Sequence, residues 1–138
     1  MSTAHLPLKE VSSHLQHLTQ YASAGAALQK SLADYVERAF AQHIQVAKDS
    51  ECQLRLVIHG VQILTRIELT PQLPDFDARL AAYLVTKGAA EELSPIGIQV
   101  EFKADGSLVD GRVEQFPERV IEALLNDLLL RHKPTFVP

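Results

Sequence analysis

Two alternating apolar runs meet at His59-Gly60, and the alternation reverses phase there. Cys52, Leu54, Leu56 and Ile58 fall on even positions, while Val61, Ile63, Thr65, Ile67 and Leu69 fall on odd ones. Period-two alternation rich in β-branched residues is the pattern of a half-buried strand. One unbroken strand would send Ile58 and Val61 to opposite faces, because successive side chains point to opposite sides. A two-residue turn at His59-Gly60 returns them to one face. It pairs Ile58 with Val61, Leu56 with Ile63 and Leu54 with Thr65. Gly60 then has a backbone role, and His59 is exposed at a turn where it needs no chemistry.

Before these strands the apolar period is near 3.6. Val11, Leu15, Leu18 and Ala22 form a stripe over residues 8–23, after Pro7. Leu28, Leu32, Tyr35, Val36, Ala39, Phe40 and Val46 form a second stripe over residues 26–48. Lys30, Asp34 and Arg38 make opposite-charge i,i+4 pairs on its far side. Gly25 either separates two helices or lies inside one. A helix over 26–48 would be roughly 34 Å long. That is long for a chain of 138 residues, so one end is expected to project or to pack against another subunit.

After the hairpin, the prolines of "TPQLP" end the second strand. Asp75 is suited to cap a helix whose stripe is Phe76, Leu80, Tyr83 and Leu84, ending at Gly88 or fraying towards Ser94-Pro95. Ile98, Val100 and Phe102 alternate again, and Asp105-Gly106 is a strong hairpin signal. A two-residue turn there pairs Phe102 with Val109 and puts Val109 and Val113 on the face of Phe102. A final helix begins near Pro117, carries Val120, Ile121, Leu124, Leu125, Leu128 and Leu129, and stops at Pro134. Arg131, His132 and Lys133 at its end complement the helix dipole. The closing "TFVP" is apolar enough to dock on something.

The expected fold is α+β. An antiparallel four-stranded sheet from two hairpins is packed by helices in the order α-α-β-β-α-β-β-α. One domain spans residues 1–138, with 1–7 and 134–138 as flexible tails. Helices cover one face of the sheet, and the other carries Gln53, Arg55, Arg66, Glu68, Glu101 and Lys103.

Composition narrows the class of protein. Hydrophobic residues at 46% supply a core without cross-links. The net charge is −4, the acidic excess lies in residues 51–138, and no run of Lys or Arg occurs. Nucleic-acid binding is therefore disfavoured, since it rests on neutralising phosphates. The single cysteine excludes an intrachain disulfide and fits a reducing compartment. The first residues lack a basic segment followed by an apolar one, so no secretory signal is read there. No apolar run approaches the ~20 residues that span a bilayer. A soluble, cytoplasmic protein is expected.

Candidate chemistry is sparse. His14 and His17 at i,i+3, or His43 with Cys52 and His59, could share a metal, but no second HxxH, CxxC or HExxH motif completes a ligand set. Cys52 alternates with the buried-face residues, which favours a core cysteine over a nucleophile. Asp75 and Asp77, or Glu91 and Glu92, are better explained as a helix cap and solvated charges than as acid–base pairs. The glycines spell no phosphate-binding loop or nucleophile elbow. No catalytic residue, metal or cofactor is assigned. If a pocket exists, its polar groups are expected to be His59, Arg55 and Arg66.

The expected function is that of a small non-catalytic adaptor or chaperone-like protein that binds another protein, as a homodimer. Size, acidity and the alternation of helices and hairpins resemble small bacterial secretion chaperones, in layout and without a motif. A small enzyme or ligand-binding domain with a pocket between sheet and helix is the alternative. A weaker one is nucleic-acid binding on the open sheet face through Arg55, Arg66, Lys103 and Arg112.

Overall fold

A computed structural model describes residues 5–138. One helix, α1 (Leu8–Ala39), is followed by five strands: β1 (Ile44–Ser50), β2 (Gln53–Ile58), β3 (Val61–Gln72), β4 (Asp75–Lys87) and β5 (Glu91–Phe102). A second helix, α2 (Phe116–Asp127), closes the fold and runs into a wider π turn, Leu128–His132. The strands form an antiparallel meander in the order β1-β2-β3-β4-β5. Both helices pack on one face of the sheet and touch each other. The α+β class and antiparallel sheet match the sequence reading. The strand count and element order do not.

The His59-Gly60 hairpin has the pairing expected of it: Ile58 with Val61, Leu56 with Ile63, Leu54 with Thr65. His59 has φ of 45° and Gly60 of 86°. Two left-handed residues in succession make the turn whose twist suits a tight hairpin.

Four expectations fail, each for a local reason. First, residues 8–39 are one helix, so Gly25 does not separate two. Gly25 is where α1 crosses the sheet. A Cβ there would lie 2.8 Å from both Cγ1 and Cγ2 of Ile67, so only glycine lets the helix this close. Second, Ile44–Ser50 is the edge strand β1 rather than the end of a helix. Phe40 closes α1, and the chain turns within a few residues to pair Ile44 with Ile58.

Third, Asp75–Lys87 is a strand, not a capped helix. Phe76, Ala78, Leu80, Ala82 and Leu84 follow the period-two rule on the helix-covered side. The alanines at 78 and 82 are buried there. Asp75 caps no helix; its carboxylate accepts hydrogen bonds from the Tyr21 hydroxyl and the Phe76 N–H. Pro95 lies within β5, which is an edge strand and tolerates it.

Fourth, the Asp105-Gly106 turn does not produce a second full hairpin. The Lys103 N–H donates to the Ser107 carbonyl across three residues, and only Gly106 of the three is left-handed. That three-residue loop pairs Phe102 with Leu108 instead of Val109. A one-residue shift exchanges faces. Leu108 is 7% exposed, whereas Val109 is 55% exposed and Val113 39%.

The core lies between the sheet and the two helices. Leu28, Leu32 and Val36 of α1 and Phe116, Ile121 and Leu124 of α2 meet Leu56, Ile63 and Leu80 there. α2 lies close on β5 at Gly97. A Cβ at that left-handed glycine would come within 3.3 Å of the Leu124 backbone. The Gly97 N–H donates to the Asp127 carboxylate at 2.8 Å. Among the described residues no helix is long and apolar enough to cross a membrane. Of the expected tails, residues 1–4 lie outside the described residues.

Candidate functional site

At the hairpin end of the sheet, β1, the β2–β3 turn and the end of α2 leave a cleft of about 390 Å³. Its walls are hydrocarbon. Phe40 and Ile44 come from the α1–β1 junction and Ile58 from β2, while Leu125, Leu128 and Leu129 come from α2 and its π turn. Phe136 adds an aromatic wall from the C-terminal segment. That segment is fixed by one hydrogen bond, from the Val137 N–H to the His59 carbonyl at 2.7 Å. A Cβ on Gly60 would sit 3.4 Å from the Val137 Cβ, so the tail lies directly over the turn.

Among the described residues, only two polar side chains line the cleft, His43 and His59. The Nδ1 of His43 lies 3.1 Å from the Nε2 of His59, one nitrogen donating and the other accepting. The pairing follows from the fold. Ile44 opposes Ile58, so the residues just outside that pair, His43 and His59, meet at the sheet corner. His59 also holds a positive φ, a region that non-glycine residues enter uncommonly and histidine more readily than most.

The other two sequence-proposed site residues are elsewhere. Arg55 and Arg66 project from the sheet face that no helix covers. Arg55 pairs with Asp49 at 2.8 Å and with Glu91 at 3.5 Å. Arg66 pairs with Glu68 at 2.7 Å and stacks over the Tyr83 ring at 4.6 Å. Arg79 on the same face pairs with Asp77 and Glu101. Burial alone would raise the Glu68 carboxyl, but the Tyr83 hydroxyl and Arg66 outweigh it and hold the group below its ordinary range. Every one of these arginines has a carboxylate partner, so the face is a mosaic of ion pairs rather than a phosphate track. Leu64, apolar in the outward phase, is buried among them at 4% exposure.

Cys52 lies in the β1–β2 turn, at the opposite end of β2 from His59, so it does not join the histidine pair. Burial, with Glu51 nearby, pushes its thiol up, which disfavours the thiolate a nucleophile needs. His14 lies on the partly covered side of α1 and His17 on its exposed side, so the two do not share a site. Among the described residues no three His, Cys, Asp or Glu side chains gather as a metal-binding group.

A different kind of surface lies at the start of α1. The helix enters the core only from Tyr21 onward. Before that, Leu8 is 83% exposed and Leu15 59%, and Leu18 is also exposed.

Sequence reasoning named His59 and grouped it with His43, but it could not place the cleft. Its walls come from four separated segments, and one of those, β1, reads in the sequence as the end of a helix. No family model matches the chain, and no curated protein or solved structure does either. Among the described residues, the fold and the two surfaces define a helix-covered antiparallel meander with an exposed helix face at the start of α1 and an apolar cleft beside His59.

Proposed function

We propose that this protein acts by binding other polypeptides, and that its first partner is a second copy of itself along the projecting start of α1. The observation that carries this reading is the stripe of Leu8, Val11, Leu15, Leu18 and Ala22, exposed at Leu8, Leu15 and Leu18 and half-buried at Val11 and Ala22. Its spacing alternates steps of three and four, which is the seam of a two-stranded coiled coil. Ser12 and Thr19, beside the seam on the side away from the sheet, are uncharged, so two copies meet there without like-charge repulsion. A helix of about 12–15 residues is marginal alone. This one is the extension of a segment whose second half is anchored in the core, so much of the ordering cost is already met.

Sedimentation equilibrium from about 10 µM to about 1 mM, a range that detects association free energies of about −4 to −7 kcal/mol, tests the reading. The expected result is a mass that rises towards two chains with concentration. Leu15→Glu is expected to hold the chain monomeric while leaving its melting unchanged in dilute solution, where the wild type is also monomeric, because Leu15 is exposed. A strict monomer over the whole range would overturn the proposal. A second reading, a ligand-binding domain with its pocket between sheet and helix, rests on the cleft beside His59.

A further inference from the structure

We infer that the cleft beside His59 is a binding site for a small amphipathic carboxylate, its apolar body against Ile44, Leu128 and Phe136 and its head group at the His43–His59 pair. The volume, about 390 Å³, falls within the roughly 300–1,000 Å³ of ligand clefts. Such sites combine an apolar lining with a few placed polar groups, and here the polar groups are two imidazoles at one corner. Each ring turns one nitrogen to the other, and among the described residues its second nitrogen has no hydrogen-bond partner. In the neutral pair the accepting ring still carries an N–H on its outer nitrogen, a donor suited to a carboxylate oxygen.

Charge selects the sign of the ligand. Among the described residues, no acidic side chain lines the cleft. The π turn that supplies Leu128 and Leu129 continues into Arg131, His132 and Lys133. Arg131 is ion-paired with Asp127 at 3.2 Å, and no Asp or Glu follows from Leu128 to Pro138 to offset Lys133. An apolar floor beside a cationic segment favours an anion over a cation of the same shape. The left-handed backbone at His59 and the Val137 hydrogen bond to its carbonyl fix the base of one imidazole, so the head-group position is built before a ligand arrives.

Octanoate and octylammonium share a tail and differ in the sign of the head, which makes them the probes. Methyl NMR titration of Ile44, Ile58, Leu125 and Leu129 is expected to show saturable shifts with octanoate and about tenfold weaker ones with octylammonium. The pair His43→Gln with His59→Asn is expected to weaken octanoate about fivefold or more and leave octylammonium unchanged. Phe136→Ala is expected to weaken both. Equal affinity for the two probes, octanoate binding untouched by the histidine substitutions, or shifts confined to the α1 leucines would each overturn the inference. Repeating the titration in Leu15→Glu removes any contribution from self-association.

Discussion

Gln29 of α1 and Thr65 of β3 grip each other at the centre of the molecule. The Thr65 hydroxyl donates to the Gln29 side-chain oxygen at 3.0 Å, and the Gln29 amide donates back to the Thr65 carbonyl at 3.0 Å. The same amide reaches the Cys52 carbonyl at 3.1 Å. Both residues are almost fully buried. A polar pair in the core is tolerated only when its partners are complete, and removing one leaves the other unsatisfied.

Thr65→Val is therefore expected to cost about 1–3 kcal/mol, because it strands the Gln29 oxygen. Gln29→Met alone is expected to cost a similar amount. The double variant should cost clearly less than the two together, since neither orphan remains. Urea unfolding of the four chains measures this. Strict additivity would show that the two side chains do not act as a unit.

Gly25 and Ile67 set how closely α1 approaches the sheet. In an exposed helix, Gly→Ala stabilises by about 1 kcal/mol. Here the new methyl meets both γ carbons of Ile67 at 2.8 Å, and overpacking of this kind costs about 1–3 kcal/mol. Gly25→Ala is expected to destabilise the native chain but to stabilise one that already carries Ile67→Ala. A sign reversal across that double-mutant cycle is the result to look for, and the same sign in both backgrounds would rule out the close approach as the reason for glycine.

The two hairpins explain what was legible in the sequence. At His59-Gly60 both flanking runs are long and alternate with only Val57 and Leu64 out of pattern, so the phase reversal fixes the register. At Asp105-Gly106 the run after the turn is short, and loops of two and three residues are equally compatible with it. Strand β4 was hidden by its composition. Ala78 and Ala82 fill its covered side, and Ala81 and Tyr83 lie on the other, so polarity does not alternate and Phe76, Leu80 and Leu84 mimic a helical stripe. Pro95 and Gly97 likewise hide β5, although an edge position and a bulge accommodate them. The cleft was illegible for another reason, because it exists only where β1, a turn, a helix end and the chain terminus come together.

The Tyr21–Asp75 contact ties α1 to the start of β4 and predicts a pH response at both extremes. The Tyr21 hydroxyl, with the Phe76 N–H, holds the Asp75 carboxyl below its ordinary range. Asp75 in turn, with burial, pushes the Tyr21 phenol up. A lowered carboxyl stabilises the fold above its unfolded pKa, about 3.9, and loses that contribution as pH falls through the folded value. A raised phenol stabilises below its unfolded pKa, about 10, and loses the contribution as pH rises through the folded value. Asp75→Asn should flatten the urea midpoint against pH at the acid end without abolishing the slope, because Glu68 and Asp105 are lowered as well. Tyr21→Phe should flatten it at the alkaline end. Unchanged profiles in both variants would show the contact carries no linkage.

His59→Asn separates the turn from the imidazole pair. The backbone at 59 is left-handed, a conformation that costs an ordinary L-residue roughly 1–2 kcal/mol and asparagine less. Asn-Gly is also the favoured sequence for this turn. If His59 were there only to make the bend, asparagine would raise stability by a few tenths to about 1 kcal/mol. If the contact with His43 and the seating of the tail matter to the fold, the gain is reduced by their loss. The expectation is a net gain, because His43 is exposed and a hydrogen bond at such a site contributes little beyond what water supplies. Thermal melts of wild type, His59→Asn and His43→Gln decide it. A loss of stability in both single variants would make the imidazole pair a structural clasp. A gain in His59→Asn with no change in His43→Gln would mean that histidine is held in an unfavourable backbone at a cost to stability, as expected of a residue kept for the cleft beside it.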